Sequence, residues 1–212
     1  MEIRITAYFF SNAARARLFV NGFVKTLAGE KRQNSVNLHA MQKFEYRHLL
    51  PDDFNVDSRV WIYQSNRLFS IGEALQIEEI LKHFAANWKS HGATVKAHAD
   101  LLFGQFIVLI ADETATGVSG CSTDSSVRLV KEVEKAFQVS LFDRQLLAFL
   151  LKDKVEVLPL SQFRYAIENG YINAETIYFN NLVANKAELE TTWLIPVKDS
   201  WLASRIKLPA SR

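Results

Sequence analysis

Phe106-Ile-Val-Leu-Ile-Ala111 is one of the two longest uninterrupted apolar runs in the chain, and it limits what the protein can fold into. It falls far short of the roughly 20 apolar residues that cross a bilayer. Gly104 sets a turn just before it, and the run is rich in β-branched residues. A short apolar run of this kind is a strand covered on both faces, because an alternating pattern is needed only where one face meets water. The chain must therefore supply a layer on each side of a sheet that has Gln105–Ala111 near its centre.

The segments around that run supply the elements. Arg59–Ser65 is strand-like, rich in β-branched and aromatic residues. Ser70 and Glu73 form a capping-box pattern that opens a helix running to about Ser90. Ile71, Ala74, Leu75, Ile77, Leu81, Phe84, Ala85 and Trp88 fall on one broad face of it. His91-Gly92 is placed to end that helix. Thr94–Leu101 alternates, with Val95, Ala97, Ala99 and Leu101 opposed to Thr94, Lys96, His98 and Asp100, which predicts a half-exposed edge strand. A second helix is predicted over about Asp124–Gln138, then a strand at Leu146–Leu151. The order strand, helix, strand, strand, helix, strand predicts an α+β fold: a ferredoxin-like split βαβ sandwich (βαββαβ) spanning residues 41–151. Residues 152–212 read as a small α/β C-terminal appendage on the same core. Its expected features are a turn at Lys152–Lys154 that folds Leu146–Leu151 into a hairpin with Val155–Leu158, a helix capped by Ser161 and ended by Gly170, and a strand at Thr176–Asn180. A second capping box at Asn185–Glu188 follows, with Trp193 and Trp201 as anchors.

Charge divides the chain. Residues 1–40 hold six Lys/Arg and two acids, a net charge of +4, while the remaining 19 basic and 21 acidic residues leave the body at −2. The body has no basic excess with which to hold a phosphate backbone, so no nucleic-acid partner is expected. The Arg-rich arm lacks sustained periodicity, and Met41 opens an ordinary lead-in. The expectation is that 1–40 is disordered, or a mis-assigned extension with Met41 as the true start. One cysteine among 212 residues excludes an intramolecular disulfide and fits a reducing compartment. The five histidines are scattered and no Cys/His cluster has zinc spacing.

The polar stretch Ala111–Ser126 joins the central strand to the second helix and is the candidate site. Two readings meet there. Ser119, Gly120, Cys121, Ser122, Thr123 and Asp124 at a helix start can bind an anion or lower a thiol pKa, which makes Cys121 a candidate nucleophile. Asp112, Glu113 or His98 would then act as the base. Equally, Thr123 or Asp124 can be a plain N-cap, Gly117 and Gly120 loop formers, and Cys121 a small buried filler. Asp112, Glu113 and Asp124 match no cation-binding spacing, so no metal is expected. Asp143 and Arg144 form an acid–base neighbour pair, and Gln64, Ser65, Asn66 and Arg67 follow the first strand as further ligand-binding candidates.

Named motifs add exclusions. The split βαβ order is shared with the RNA-recognition motif, and Val60–Tyr63 and Phe103–Val108 faintly echo its aromatic segments. Leu101 and Leu102 replace the basic and glycine positions, and Gln105 replaces an aromatic. No phosphate-binding Gly-rich loop, zinc-protease helix or nucleophile elbow occurs, and no cofactor is expected.

Arg59–Arg67, Ser119–Val127, Leu141–Arg144, Tyr178–Glu190, Trp193 and Lys198–Trp201 together resemble a family of short proteins of Bacteroidetes-type bacteria, some labelled "ABC transporter ATPase". The similarity runs from about residue 57 to Trp201, and family members begin near the position of Met41. It implies a cytoplasmic bacterial protein and brings no established activity. The ATPase label finds no nucleotide motif in this chain. The expectation is a cytoplasmic, non-enzymatic interaction domain that binds a protein partner or a second copy of itself through its outer sheet face and aromatic tail. The alternative is a small-molecule or anion-binding thiol enzyme centred on Cys121.

Overall fold

Every residue of Phe106–Asp112 is buried, which requires cover on both faces of the strand. The computed structural model describes residues 45–206; the expectations for 1–40 and for Met41 lie outside them. Among the described residues, Arg47–Ile206 form one compact unit. In chain order its elements are β1 (Arg59–Gln64), α1 (Ile71–Asn87), β2 (Lys89–Ser90), β3 (Ala93–Thr94), β4 (Lys96–Leu102), β5 (Phe106–Asp112) and α2 (Gly120–Phe137). Then come β6 (Leu146–Leu151), β7 (Lys154–Pro159), α3 (Phe163–Glu168), β8 (Ile177–Phe179), α4 (Lys186–Thr192) and β9 (Leu194–Pro196).

The fold is mixed α+β, with a first sheet ordered β1-β5-β4, a second ordered β7-β6-β8-β9, and a two-stranded ribbon β2-β3, all antiparallel. The apolar run Phe106–Ala111 lies in β5, the central strand of the first sheet. Its odd-numbered side chains, Ile107 and Leu109, join Tyr63, Leu101, Ile77, Leu81, Val130 and Val133 in a core under α1 and α2. Its even-numbered side chains face the C-terminal part: Phe106 stacks on Phe179 at 4.7 Å and meets Trp193 edge-on at 5.4 Å. That aromatic contact joins the first sheet to the second.

The fourth strand departs from expectation. Leu146–Leu151 does not extend the first sheet; it pairs with β7 and β8 in the second. The place beside β1 is taken by the segment before α4, where the Val60 amide donates to the Ala184 carbonyl (2.9 Å) and the Lys186 amide to the Ser58 carbonyl (2.9 Å). β6 is apolar throughout and finds its partner one turn away: Lys152 (φ 48°) and Asp153 (φ 61°) close a two-residue hairpin onto β7. A nearby hairpin partner costs less loop entropy than a distant one. Residues on either side of 151 thus share one sheet.

The edge strand also differs. β4 lies at the edge as expected, but its second face is covered: Asp100 is buried and His98 half-buried. Phe54 packs edge-on to His98 at 6.5 Å, and Lys96 reaches over the Phe54 ring (4.7 Å) to donate to the Asp53 carbonyl. The lead-in covers the face of β4 that the sequence left open to a partner. Tyr63 and Phe106, which echoed an RNA-binding sheet, are buried.

Local stop signals explain the remaining shifts. The capping box forms as the spacing requires, with Ser70 Oγ accepting from the Glu73 amide and Glu73 accepting from the Ser70 amide. α1 ends at Asn87 rather than Ser90, because Trp88 turns extended and Lys89–Ser90 pair with Ala93–Thr94. His91 (φ 49°) and Gly92 (φ 86°) make the turn of that ribbon rather than a helix end. α3 is entered through a 3-10 turn at Leu160–Gln162 without a side-chain cap, so Ser161 is not its N-cap. Asn185 does cap α4, its Oδ1 accepting from the Glu188 amide at 2.8 Å. Trp193 is fully buried, while Trp201 is 39% exposed with its indole donating to Tyr178 Oη (3.2 Å).

Candidate functional site

The polar stretch after β5 begins with an acid whose bonding is already met. Asp112 is buried at the strand end. Its Oδ1 accepts from the Thr114 hydroxyl (2.7 Å) and the Thr114 amide (3.1 Å). Its Oδ2 accepts from the Asn55 amide (3.3 Å) and pairs with Lys96 Nζ (3.2 Å). The Thr114 hydroxyl is the first cause, ahead of the backbone amides and Lys96, that holds this carboxyl down to about 2. Lys96 is pushed above its ordinary range, first by Asp53 and then by Asp112. Asp112 is therefore a fixed anion that ties the lead-in to the sheet end. A general base needs a proton affinity near working pH, and this carboxylate has been moved the other way.

Glu113 is exposed but anchored: its Oε1 accepts from the Val118 amide at 2.7 Å and lies 4.0 Å from Arg59. The helix then starts four residues ahead of expectation. Ser119, rather than Thr123 or Asp124, is the N-cap, its Oγ accepting from the Ser122 amide (3.3 Å). Cys121, Ser122 and Thr123 accordingly lie in the first turn of α2, and Asp124 is exposed on its surface. Cys121 is exposed and free, not a buried filler.

The hydroxyls around Cys121 form a closed set. Ser122 Oγ donates to the Lys89 carbonyl (3.0 Å), so the 2.9 Å contact between Ser119 Oγ and Ser122 Oγ has Ser119 as its donor. Thr123 donates to the Ser119 carbonyl (3.1 Å), Ser125 to the Ser122 carbonyl (2.7 Å) and Ser126 to the Thr123 carbonyl (2.7 Å). The Ser119 amide donates to Ser90 Oγ (3.2 Å), and the buried Trp88 indole donates to the Ser122 carbonyl (3.0 Å). Ser122, the Ser119 amide and Trp88 thus seat the β2–β3 ribbon on the start of α2, while Thr123, Ser125 and Ser126 bond back onto the helix start itself. A Cβ added at Gly117 or Gly120 meets nothing within 4 Å, so neither glycine is required for a close approach.

Arg67, among the remaining candidates, lies at the other end of α2. Its 18 residues rise about 1.5 Å each, so the helix separates its two ends by roughly 27 Å. At its C-terminus, Arg67 forks onto Glu73 (2.8 and 2.9 Å) and donates to the Phe137 carbonyl (2.8 Å), clamping the start of α1 to the end of α2. Arg67 is the first cause that brings the Glu73 carboxyl down to about 2. Asn66 exchanges bonds with Ser140 (3.0 and 2.8 Å), and Ser65 bonds Gln105. Asp143 accepts from the Gln145 amide (2.8 Å) as a turn former, and Asp143 and Arg144 are both exposed. The structure places Ser119–Asp124 at the start of α2 and Arg67 at its end, while Arg144 faces Tyr63, which lies beside Ser126, so the candidates do not converge on one site. No group of three metal-ligating side chains occurs among the described residues.

Two partners escaped the sequence reading. Ser90 and Trp88, assigned to the tail of a helix, complete the α2 cap. Gln64 accepts from Asn181 Nδ2 (2.8 Å), whose Oδ1 accepts from the Trp193 indole (3.0 Å), a buried polar bridge between the two sheets. Its only local signal is a glutamine closing an apolar strand. No described helix is long and apolar enough to cross a membrane. Comparison with known proteins finds no matching family, no similar curated protein and no similar solved structure.

Proposed function

We propose that this protein is a cytoplasmic, non-enzymatic interaction domain whose partner is another protein or a second copy of itself. One observation carries the reading: between Asp112 and Ser126, the buried carboxylate and six hydroxyls are bonded to the protein's own backbone and side chains. A catalytic constellation keeps donors and a base directed at the place of a reacting atom. Here those groups hold the lead-in, the ribbon and α2 in place. The arrangement is consistent with a ferredoxin-like unit whose fourth-strand place is filled by Ala184–Lys186, and with the resemblance to short bacterial proteins. The buried sheet face and Trp193 leave contact to other surfaces.

The alternative, a thiol enzyme or anion-binding site, draws on the exposure of Cys121 in the first turn of α2. Alkylation of Cys121 in the folded full chain at neutral pH separates the two. The interaction-domain reading expects the rate of an ordinary exposed thiol. A rate more than about tenfold above free cysteine, abolished by unfolding, would establish an activated nucleophile.

A further inference from the structure

Sheet edges are where a chain of this kind has backbone donors and acceptors to offer a partner. The outer side of β1 is occupied by Ala184–Lys186. β4 is buried over its last four residues, and β9 has three residues ending in Pro196. β7 is different: six residues long, exposed at Lys154 and Glu156 and half-buried elsewhere, it pairs with β6 on one side and with no described strand on the other. In a hairpin closed by a two-residue turn, the residues flanking the turn form a hydrogen-bonded pair. Leu151↔Lys154, Phe149↔Glu156 and Leu147↔Leu158 therefore spend the Lys154, Glu156 and Leu158 backbone on β6. The Val155 and Val157 amides and carbonyls point outward.

We propose that this edge pairs antiparallel with the β7 edge of a second copy, with Val155 opposite Val155 of the partner subunit. The proposal rests on the interaction-domain reading and names the partner as this same chain. Outward-pointing backbone groups fix the choice to three two-fold registers. Centring on Glu156 sets two glutamates face to face, which is repulsive. Centring on Val157 sets Val155 opposite Pro159 of the partner subunit, which has no amide to donate. Centring on Val155 places Lys154 opposite Glu156 of the partner subunit, and Glu156 opposite Lys154 of the partner subunit. These are the closer, non-hydrogen-bonded positions, so the strand is charge-complementary to itself in this register. Few residues take part, so the association is weak and in the class of small transient interfaces.

Sedimentation velocity of the full chain over a concentration series tests this. A concentration-dependent dimer is expected. Lys154→Glu sets acid against acid twice and should weaken the dimer at least about fivefold, and the exchange K154E/E156K should restore it. Val155→Pro removes outward donors without touching the β6 ladder and should weaken it at least about tenfold. Unchanged thermal midpoints confirm that the exposed Lys154 and Glu156 variants fold, so the charge exchange decides the matter even if Val155→Pro destabilises the sheet. A strict monomer at every concentration overturns the proposal. So does a dimer indifferent to both Lys154→Glu and Val155→Pro, which leaves an interaction domain using another surface. An activated Cys121 instead overturns the functional reading and does not touch the β7 pairing.

Discussion

Asp112 shows how a single side chain decides between scaffold and site. A carboxylate at the end of a buried strand can be a base, a ligand or a knot, and its neighbours determine which. The Thr114 hydroxyl, two amides and Lys96 all stabilise the charged form. Thr114→Val removes the strongest of these donors and should cost about 1.5 kcal/mol at pH 7 by urea unfolding, the lower end for a bond to a charged group. The sign with pH follows. The folded carboxyl sits at about 2 against an ordinary 3.8, so its contribution is complete well above 3.8 and is lost as pH falls toward 2. The gap between wild type and Thr114→Val should narrow over that window; a gap independent of pH would show that the hydroxyl does not bond the charged form. The sequence made Asp112 conspicuous, but Asn55 lies 57 residues away and no local pattern names it.

At the scale of elements, legibility followed locality. The capping box at Ser70 and Glu73, the Lys152–Asp153 turn and the Asn185 cap depend on residues within four positions of each other, and all three were readable. Ser70→Ala should cost about 1 kcal/mol, the usual loss for an N-cap, measured by thermal or urea unfolding. The start of α2 was misplaced because Ser119, Ser122, Thr123 and Asp124 are all good N-cap residues. The choice among them is made by Ser90 and Trp88, brought in from the ribbon. Gly120 tests the same point: it has open space around it, so Gly120→Ala should raise stability by about 0.5 kcal/mol. A loss of stability would mean that the glycine meets a constraint the packing does not reveal.

For the molecule as a whole, sequence order suggested the fold class and missed the sheet assignment. β6 was apolar enough for either sheet, and the strand pattern carries no information on which edge it will join. What decides is the hairpin with β7 on one side and the Ala184–Lys186 segment on the other. The two sheets are then held by Phe106, Phe179 and Trp193, with the Gln64–Asn181–Trp193 chain of hydrogen bonds running between them. Trp193→Ala should cost about 3–5 kcal/mol, as large aromatic truncations in a core do. It should lower a single cooperative unfolding transition rather than release the C-terminal part alone. Two separate transitions would show that the sheets are independent.

Whether the donors between Asp112 and Ser126 are spent on the fold decides between scaffold and site. Amide hydrogen exchange of the full chain reads this directly. The Thr114, Val118 and Ser122 amides, which donate to Asp112, Glu113 and Ser119, should exchange far more slowly than free amides, with rates unchanged by added inorganic phosphate. Exchange at the free-amide rate, with protection appearing only when phosphate is added, would contradict the account and mark the start of α2 as an anion site.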